Sequence, residues 1–285
     1  MKILFIEPAF GLSGDMLLAG LIDLGFDKTV LEKEIEKLID EKIFIEVKEN
    51  KSNGFTGKSI NIQFEERGKR DFKQIYDLIK RSKLPKFVKE KTLLAFECLA
   101  NIEGKIHNIP PKTVHFHELS GIDTIIDIVG YFLAIETLNI SKIYVSSIPL
   151  GKGFINSAHG IMPNPAFATL ELLKGFSVYG IDIDKENITP TSAVLLKISS
   201  EHNLFPNCKL DQIGYGIGHY KFNNYPNLVR LSLGSLDSDV ATDEVVSITF
   251  NVDDITAEDL GYLAEKVMNR GALDISFCPV FMKKG

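Results

Sequence analysis

Two hydrophobic periods alternate along the chain, and the switches between them mark out the elements. Ile3-Leu4-Phe5-Ile6 is an unbroken apolar run, the pattern of a strand buried on both faces. After the turn Pro8-Ala9-Phe10-Gly11-Leu12, Ser13 stands at a helix start. Leu17, Leu18, Leu21 and Leu24 follow at helical spacing, and Gly25 lies just beyond the last turn. Asp27 opens a second helix carrying Leu31, Ile35 and Leu38 on one face. Strict alternation over 43–47 and 59–64 predicts a hairpin across Asn53-Gly54. A helix over 85–106 is opened by Pro85 and followed by the breaker Ile109-Pro110-Pro111. Period 3.6 returns over 122–138, just before an apolar strand at 142–146. A helix between strands implies a right-handed crossover and a parallel sheet. Further helices are expected at 166–174 and 193–198, with a closing strand at 228–233.

Beyond the polar linker 235–239, a strand at 245–252, a helix at 256–269 and a strand near 275–280 form a βαβ piece. It is too small to bury a core of its own. The expected architecture is therefore α/β: a mainly parallel sheet core with flanking helices and an inserted hairpin and helical region. The first βαβ part of an incomplete C-terminal α+β domain follows. The boundary falls between residues 1–236 and 237–285.

Composition narrows the class. With 45% apolar and 25% charged residues the chain can fill a large core. Its 32 basic and 38 acidic residues give a net charge of −6, which disfavours general phosphate-neutralising binding to nucleic acid. Cys98, Cys208 and Cys278 form no CxxC pair, so neither a disulfide framework nor a thiolate cage is indicated. The N-terminus lacks the apolar core of a secretory signal. The most apolar helix, interrupted by Asp127 and Glu136, is too short to span a bilayer. A cytoplasmic protein without a membrane partner is expected.

Candidate chemistry centres on the segment around His115 and His117, two of the six histidines. In extended backbone they project to one side, and Asp123 and Asp127 share one helix face four residues apart. Imidazole with carboxylate suits borderline divalent metals, although the same pair also fits inert, half-buried histidines at a strand end. His159, in a glycine- and proline-rich loop, is a further candidate ligand. Ser13-Gly14-Asp15 lies where a strand passes into a helix, a setting that favours anions. Asp15 itself would repel phosphate and better suits a metal or a hydroxyl. Thr189, Thr191 and Ser192 likewise can cap a helix or hold phosphate. Two familiar motifs fail. Gly54 to Ser59 imitates the end of a P-loop but has Ser52 where glycine is needed. Gly214 to His219 contains GxGxG without a strand-to-helix setting, and reads as a loop whose glycines permit close approach.

Seven segments together carry a resemblance: FGLSGDM (10–16), HFHELSGIDTIIDIVG (115–130), HGIMPNPAFATLELLKG (159–175), TPTSA (189–193), PNLVR (226–230), NVDDITAE (251–258) and MKKG (282–285). In this collinear order the chain resembles the nickel-insertion proteins of the nickel-pincer (lactate racemase) cofactor pathway. The resemblance implies insertion of Ni(II) into pyridinium-3,5-bisthiocarboxylic acid mononucleotide. The cyclometallase would be driven by CTP hydrolysis with Mn(II) or Mg(II). It also implies that the family's chain continues past Met282 to Gly285 into a ferredoxin-like, CTP-binding domain, of which this chain carries the start. That domain acting in trans, or self-association through the unfinished end, are candidate partnerships. Glu7, Pro8 and Phe10 stand where the family more often has a shorter acid, Cys and Ser, and Ser192 replaces a usual Gly.

Together the two lines nominate His115, His117, Glu118, Asp127 and His159 for the metal. Asp123 and Asp127 either bind it directly or orient a histidine that does. Forming a carbon–nickel bond requires loss of a ring proton, for which Glu118 and Asp123 are the candidate acceptors. Ser13, Gly14, Asp15, Thr189, Thr191 and Ser192 are nominated for the mononucleotide. Two rival readings are a non-catalytic nickel metallochaperone or fragment, and a metal-dependent hydrolase built on the His-x-His pair.

Overall fold

The computed structural model describes all residues except 41, 65–69, 115, 117–120, 158–159, 203–204, 223, 237–245 and 281–285, and the side chain of His202. The chain divides into two units, Met1–Asp239 and Val240–Gly285.

The first unit opens with β1 (Lys2–Glu7), α1 (Gly14–Asp23) and α2 (Lys28–Ile39). Asp27 caps α2 as expected, its carboxylate accepting from Thr29 N at 2.9 Å. Next, β2 (Phe44–Ser52) and β3 (Phe55–Gln63) form an antiparallel hairpin. Its turn is Asn53-Gly54, with φ of 46° and 88°, the left-handed pair that matches strand twist. In front of α3 (Phe72–Arg81), Asp71 and Gln74 satisfy each other's backbone N–H groups. The long α4 (Lys86–His107) and the apolar α5 (Ile122–Thr137) follow.

The chain then returns to the sheet at β4 (Lys142–Val145) and forms β5 (Ile148–Leu150), β6 (Phe154–Ser157) and β7 (Gly160–Pro163). The rest is α6 (Phe167–Leu172), β8 (Val178–Gly180), α7 (Pro190–Ser199), β9 (Glu201–His202), β10 (Lys209–Ile217) and β11 (Leu228–Ser235). The main sheet has the order β2-β3-β10-β11-β1-β4-β9. Pairing is parallel for β1–β4, β4–β9 and β3–β10, and antiparallel for the others. The α/β class therefore holds: β1 reaches its parallel neighbour β4 by a crossover that contains the inserted hairpin and helices.

Residues Gly214 to Ile217, expected in a loop, belong instead to β10. The reason is the close packing that their glycines allow. A side chain at Gly216 would overlap the Met16 carbonyl oxygen and lie 3.0 Å from Gly20 N; one at Gly214 would lie 2.6 Å from Gly20 O. Helix α1 thus rests directly on the strand backbone. Its other side meets α5, which is buried on nearly every face from Ile122 to Ile135. This sandwich of sheet, α1 and α5 holds the first turns of both helices in fixed relation.

In the second unit Thr256 caps α8 (Ala257–Met268), its hydroxyl accepting from Asp259 N at 3.2 Å. The helix expected at 256–269 is present. Among the described residues of the two expected flanking strands, 246–252 and 275–280, none is in a strand. A strand exists only by pairing, and here Val246, Ile248 and Phe250 are exposed.

Candidate functional site

A cavity of about 490 Å³ opens in the first unit where the first turns of α1, α5 and α7 meet β3 and the segment following β10. Its chemistry differs from wall to wall.

The acidic wall is built from α1 and α5. Ser13 was expected to cap α1 through its hydroxyl, but no side-chain cap forms there. Instead the hydroxyl donates to Asp15 Oδ1, and the other carboxylate oxygen of Asp15 lies 3.3 Å from His219 Nε2. Asp123 is exposed and accepts from Thr124 N at 2.8 Å. One turn deeper on α5, Asp127 is part-exposed as a residue, yet its Oδ1 is shut off from solvent and has no hydrogen-bond partner among the described residues. Its other oxygen is pressed against the backbone of Gly14: a side chain there would overlap Oδ2 and lie 2.6 Å from Cγ. Glycine at position 14 is what admits this carboxylate to the start of α1. Burial, and then the charges of Asp15 and Asp123, hold the Asp127 carboxyl well above the usual carboxylate range.

The opposite wall is a set of matched polar groups. Leu12 N donates to Asn187 O at 2.7 Å, and Thr189 N donates to Leu12 O at 3.1 Å, so the loops before α1 and α7 are joined as a short parallel bridge. The buried Asn187 side chain accepts from Gly151 N at 2.9 Å and donates to Phe10 O and Pro149 O at 3.0 and 2.9 Å. This one carboxamide ties three separated backbone segments together. Thr189 caps α7, its hydroxyl accepting from Ser192 N at 3.2 Å. Two helix N-termini, of α1 and α7, therefore face one cavity, and each presents a positive dipole end. Ile60, Ile62 and Phe64 of the hairpin region supply an apolar face, and Tyr220 and Asn227 also line the cavity.

Of the residues singled out from sequence, the fold brings Ser13, Gly14, Asp15, Asp123, Asp127, Thr189 and Thr191 to this cavity. It does not bring Ser192. That side chain is fully buried behind the wall, its hydroxyl donating to Leu12 O at 2.8 Å and Thr189 O at 2.9 Å. His115, His117, Glu118 and His159 lie outside the described residues. Among the described residues no three His, Cys, Asp or Glu side chains come together as a group able to hold a metal ion.

Sequence reasoning missed His219, Asn187 and Asn227. His219 ends the glycine run Gly214 to Gly218, and Asn227 lies inside PNLVR, so each had a neighbouring signal. Asn187 had none. Asn227 is buried, donates to Tyr220 O at 3.0 Å, and packs so tightly on Gly11 that a side chain there would lie 2.6 Å from Asn227 Oδ1.

The nickel insertion protein family model matches residues 4–285 of the chain. The pyridinium-3,5-bisthiocarboxylic acid mononucleotide nickel insertion protein of Staphylococcus epidermidis is 38% identical over 285 residues, covering 99% of this chain and 72% of that protein. The protein of the same description from Desulfitobacterium hafniense is 39% identical over 293 residues, covering 100% of this chain and 72% of its own length. No solved structure matches. Among the described residues no helix is long and apolar enough to cross a membrane. A family match over essentially the whole chain, with relatives at this identity and coverage, places it: the chain belongs to the nickel insertion protein family.

Proposed function

We propose that this chain acts as a nickel chelatase, of the lyase class, in the cytoplasm. It inserts Ni(II) into pyridinium-3,5-bisthiocarboxylic acid mononucleotide to make the nickel-pincer cofactor, and the cavity between α1, α5 and α7 is where metal and nucleotide meet. The observation that carries this reading is Asp127: its buried Oδ1 has no partner among the described residues, and it stands beside Asp15 and Asp123 in a cavity flanked by two helix N-termini. Buried polar groups are normally matched, and one left unmatched at a cavity points to a ligand that is absent. A positive ligand fits this one. The relatives' names hold two, nickel and a pyridinium ring, and the divalent ion is the stronger match for a group of carboxylates.

Oxygen and imidazole donors bind Ni(II) without the closed thiolate cage that would keep it, and the substrate's two sulfurs can then take it over. Asp127 supplies one donor, with His115, His117, Glu118 and His159 proposed to complete the set. Ser13, Gly14, Asp15, Thr189 and Thr191 surround the phosphate and ribose. Ile60, Ile62 and Phe64 offer the apolar face that a planar ring requires. Metallation breaks a ring C–H bond and forms a C–Ni bond. The released proton passes to a carboxylate, for which Asp123 and Glu118 are the candidates. Hydrolysis of CTP with Mn(II) or Mg(II) drives the step, as the resemblance implies. In this scheme residues 1–236 handle metal and mononucleotide, and residues 237–285 begin the nucleotide-triphosphate domain.

The test is direct. The protein is incubated with Ni(II), the bisthiocarboxylic mononucleotide, CTP and Mg(II), and the product is identified by its mass and its nickel content. Wild type should form it, and Asp127→Ala should lower the rate by about a hundredfold, the scale of removing one group aimed at the reacting centre. No nickel-containing product from wild type, or an unchanged rate in the variant, overturns the assignment.

A further inference from the structure

The charges of the cavity do not suit either of its proposed ligands alone. The N-termini of α1 and α7, each helix ten residues long, line it with positive dipole ends, which favour an anion. In the same space stand Asp15, in the first turn of α1, Asp123 and Asp127, with Glu186 ahead of α7. A pyridinium mononucleotide arriving first brings one positive ring against these carboxylates, but its phosphate leaves it anionic overall. A divalent cation arriving first meets the helix ends. Asp127 adds an independent sign that a cation is missing, because its Oδ1 is sealed from solvent without a partner among the described residues. In a partly desolvated cavity such opposed charges act strongly on one another. Bound together, the two ligands neutralise both walls.

Building on the proposed function, we propose that nickel(II) and the anionic mononucleotide bind this cavity with positive coupling, each raising the protein's affinity for the other. Linkage makes the effect reciprocal: whatever factor nickel adds to nucleotide binding, the nucleotide adds to nickel binding. The site is thus a receptor for an ion pair. It resists filling by nickel without substrate, or by substrate without nickel, and a metal-inserting protein gains from both.

Calorimetry with nicotinamide mononucleotide as the probe tests the coupling. This compound has a pyridinium ring and a phosphate but none of the sulfur donors that would capture nickel by themselves. Its affinity is measured with and without saturating Ni(II), and nickel affinity with and without the nucleotide. In wild type each ligand should tighten the other by on the order of tenfold, within the usual range of coupling between sites. Asp127→Asn should abolish most of that factor. Asp15→Asn, a second variant on the other helix, should strengthen nucleotide binding in the absence of metal and shrink the factor as well. Coupling that arises from nickel and nucleotide associating in solution would survive both substitutions. Its survival there, or independent binding of the two ligands to wild type, overturns the proposal and leaves the proposed function standing. Failure of the nucleotide to bind under any condition removes the mononucleotide reading of the cavity, and the coupling with it.

Discussion

On the α7 side of the cavity, Asn187 spends its whole carboxamide on backbone, the Thr189 hydroxyl caps its own helix, and the Ser192 hydroxyl reaches Leu12 O. Across the cavity, Asp127 has one oxygen against Gly14 and the other without a partner. Both walls are polar and both are held by helix starts, yet one is complete and the other is not. The difference separates polar groups that hold the fold from those that wait for a ligand. A matched group lowers the free energy of the empty protein, whereas an unmatched one raises it until something binds.

Three substitutions can break or sharpen this contrast. The largest effect is expected on the matched wall. Asn187→Ala strands Gly151 N, Phe10 O and Pro149 O away from water, at roughly 1–3 kcal/mol per buried group. A total loss of about 3–5 kcal/mol is expected in urea unfolding, and a loss under about 1 kcal/mol would mean that this wall is not structural. An intermediate effect is expected where the walls are closest. Gly14→Ala drives a methyl into the Asp127 carboxylate and should cost about 1–3 kcal/mol by overpacking. The same change in an Asp127→Ala background should cost less, and strict additivity in that double-mutant cycle would refute the contact.

The smallest effect, of opposite sign, is expected on the unmatched wall. Burial and the neighbouring acids raise the Asp127 carboxyl above its ordinary value in the folded chain only. Between the unfolded value, about 3.9, and the raised one, the folded protein holds a proton that the unfolded chain has released, so stability falls as pH rises through that window. Above it, the loss is complete. Asp127→Asn removes the titration, so the ligand-free variant should melt higher than wild type at neutral pH and converge with it at acid pH. A variant that melts lower at neutral pH would show that the carboxyl is matched after all.

How much of this was legible depended on the range of the interactions involved. The hairpin at Asn53-Gly54 and the caps at Asp27 and Thr189 were readable because each is decided within a few residues. So was the placement of Ser13, Gly14, Asp15, Thr189 and Thr191 at helix starts, which carry a local signature. Ser192 was misplaced by the step of a helix. One residue beyond Thr191 it turns away from the cavity, where Leu12 O takes its hydroxyl. The run Gly214 to Gly218 was recognised as a place of close approach, but what approaches is α1, from far back in the chain. This contact makes the first part of the run a strand.

The sequence by itself determined most element types of the first unit, the α/β class and, through motifs spread along its length, the family. These follow from local periodicity and from residue types that tolerate little substitution at turns and helix starts. Only the tertiary structure decided that two helix N-termini and four carboxylates share one cavity, that Asn187 and His219 belong to it, and that Asp127 Oδ1 is buried there without a partner among the described residues. Such facts concern side chains more than a hundred residues apart. They depend on where the sheet and the crossing of α1 with α5 place those side chains, and on how much water is left between them.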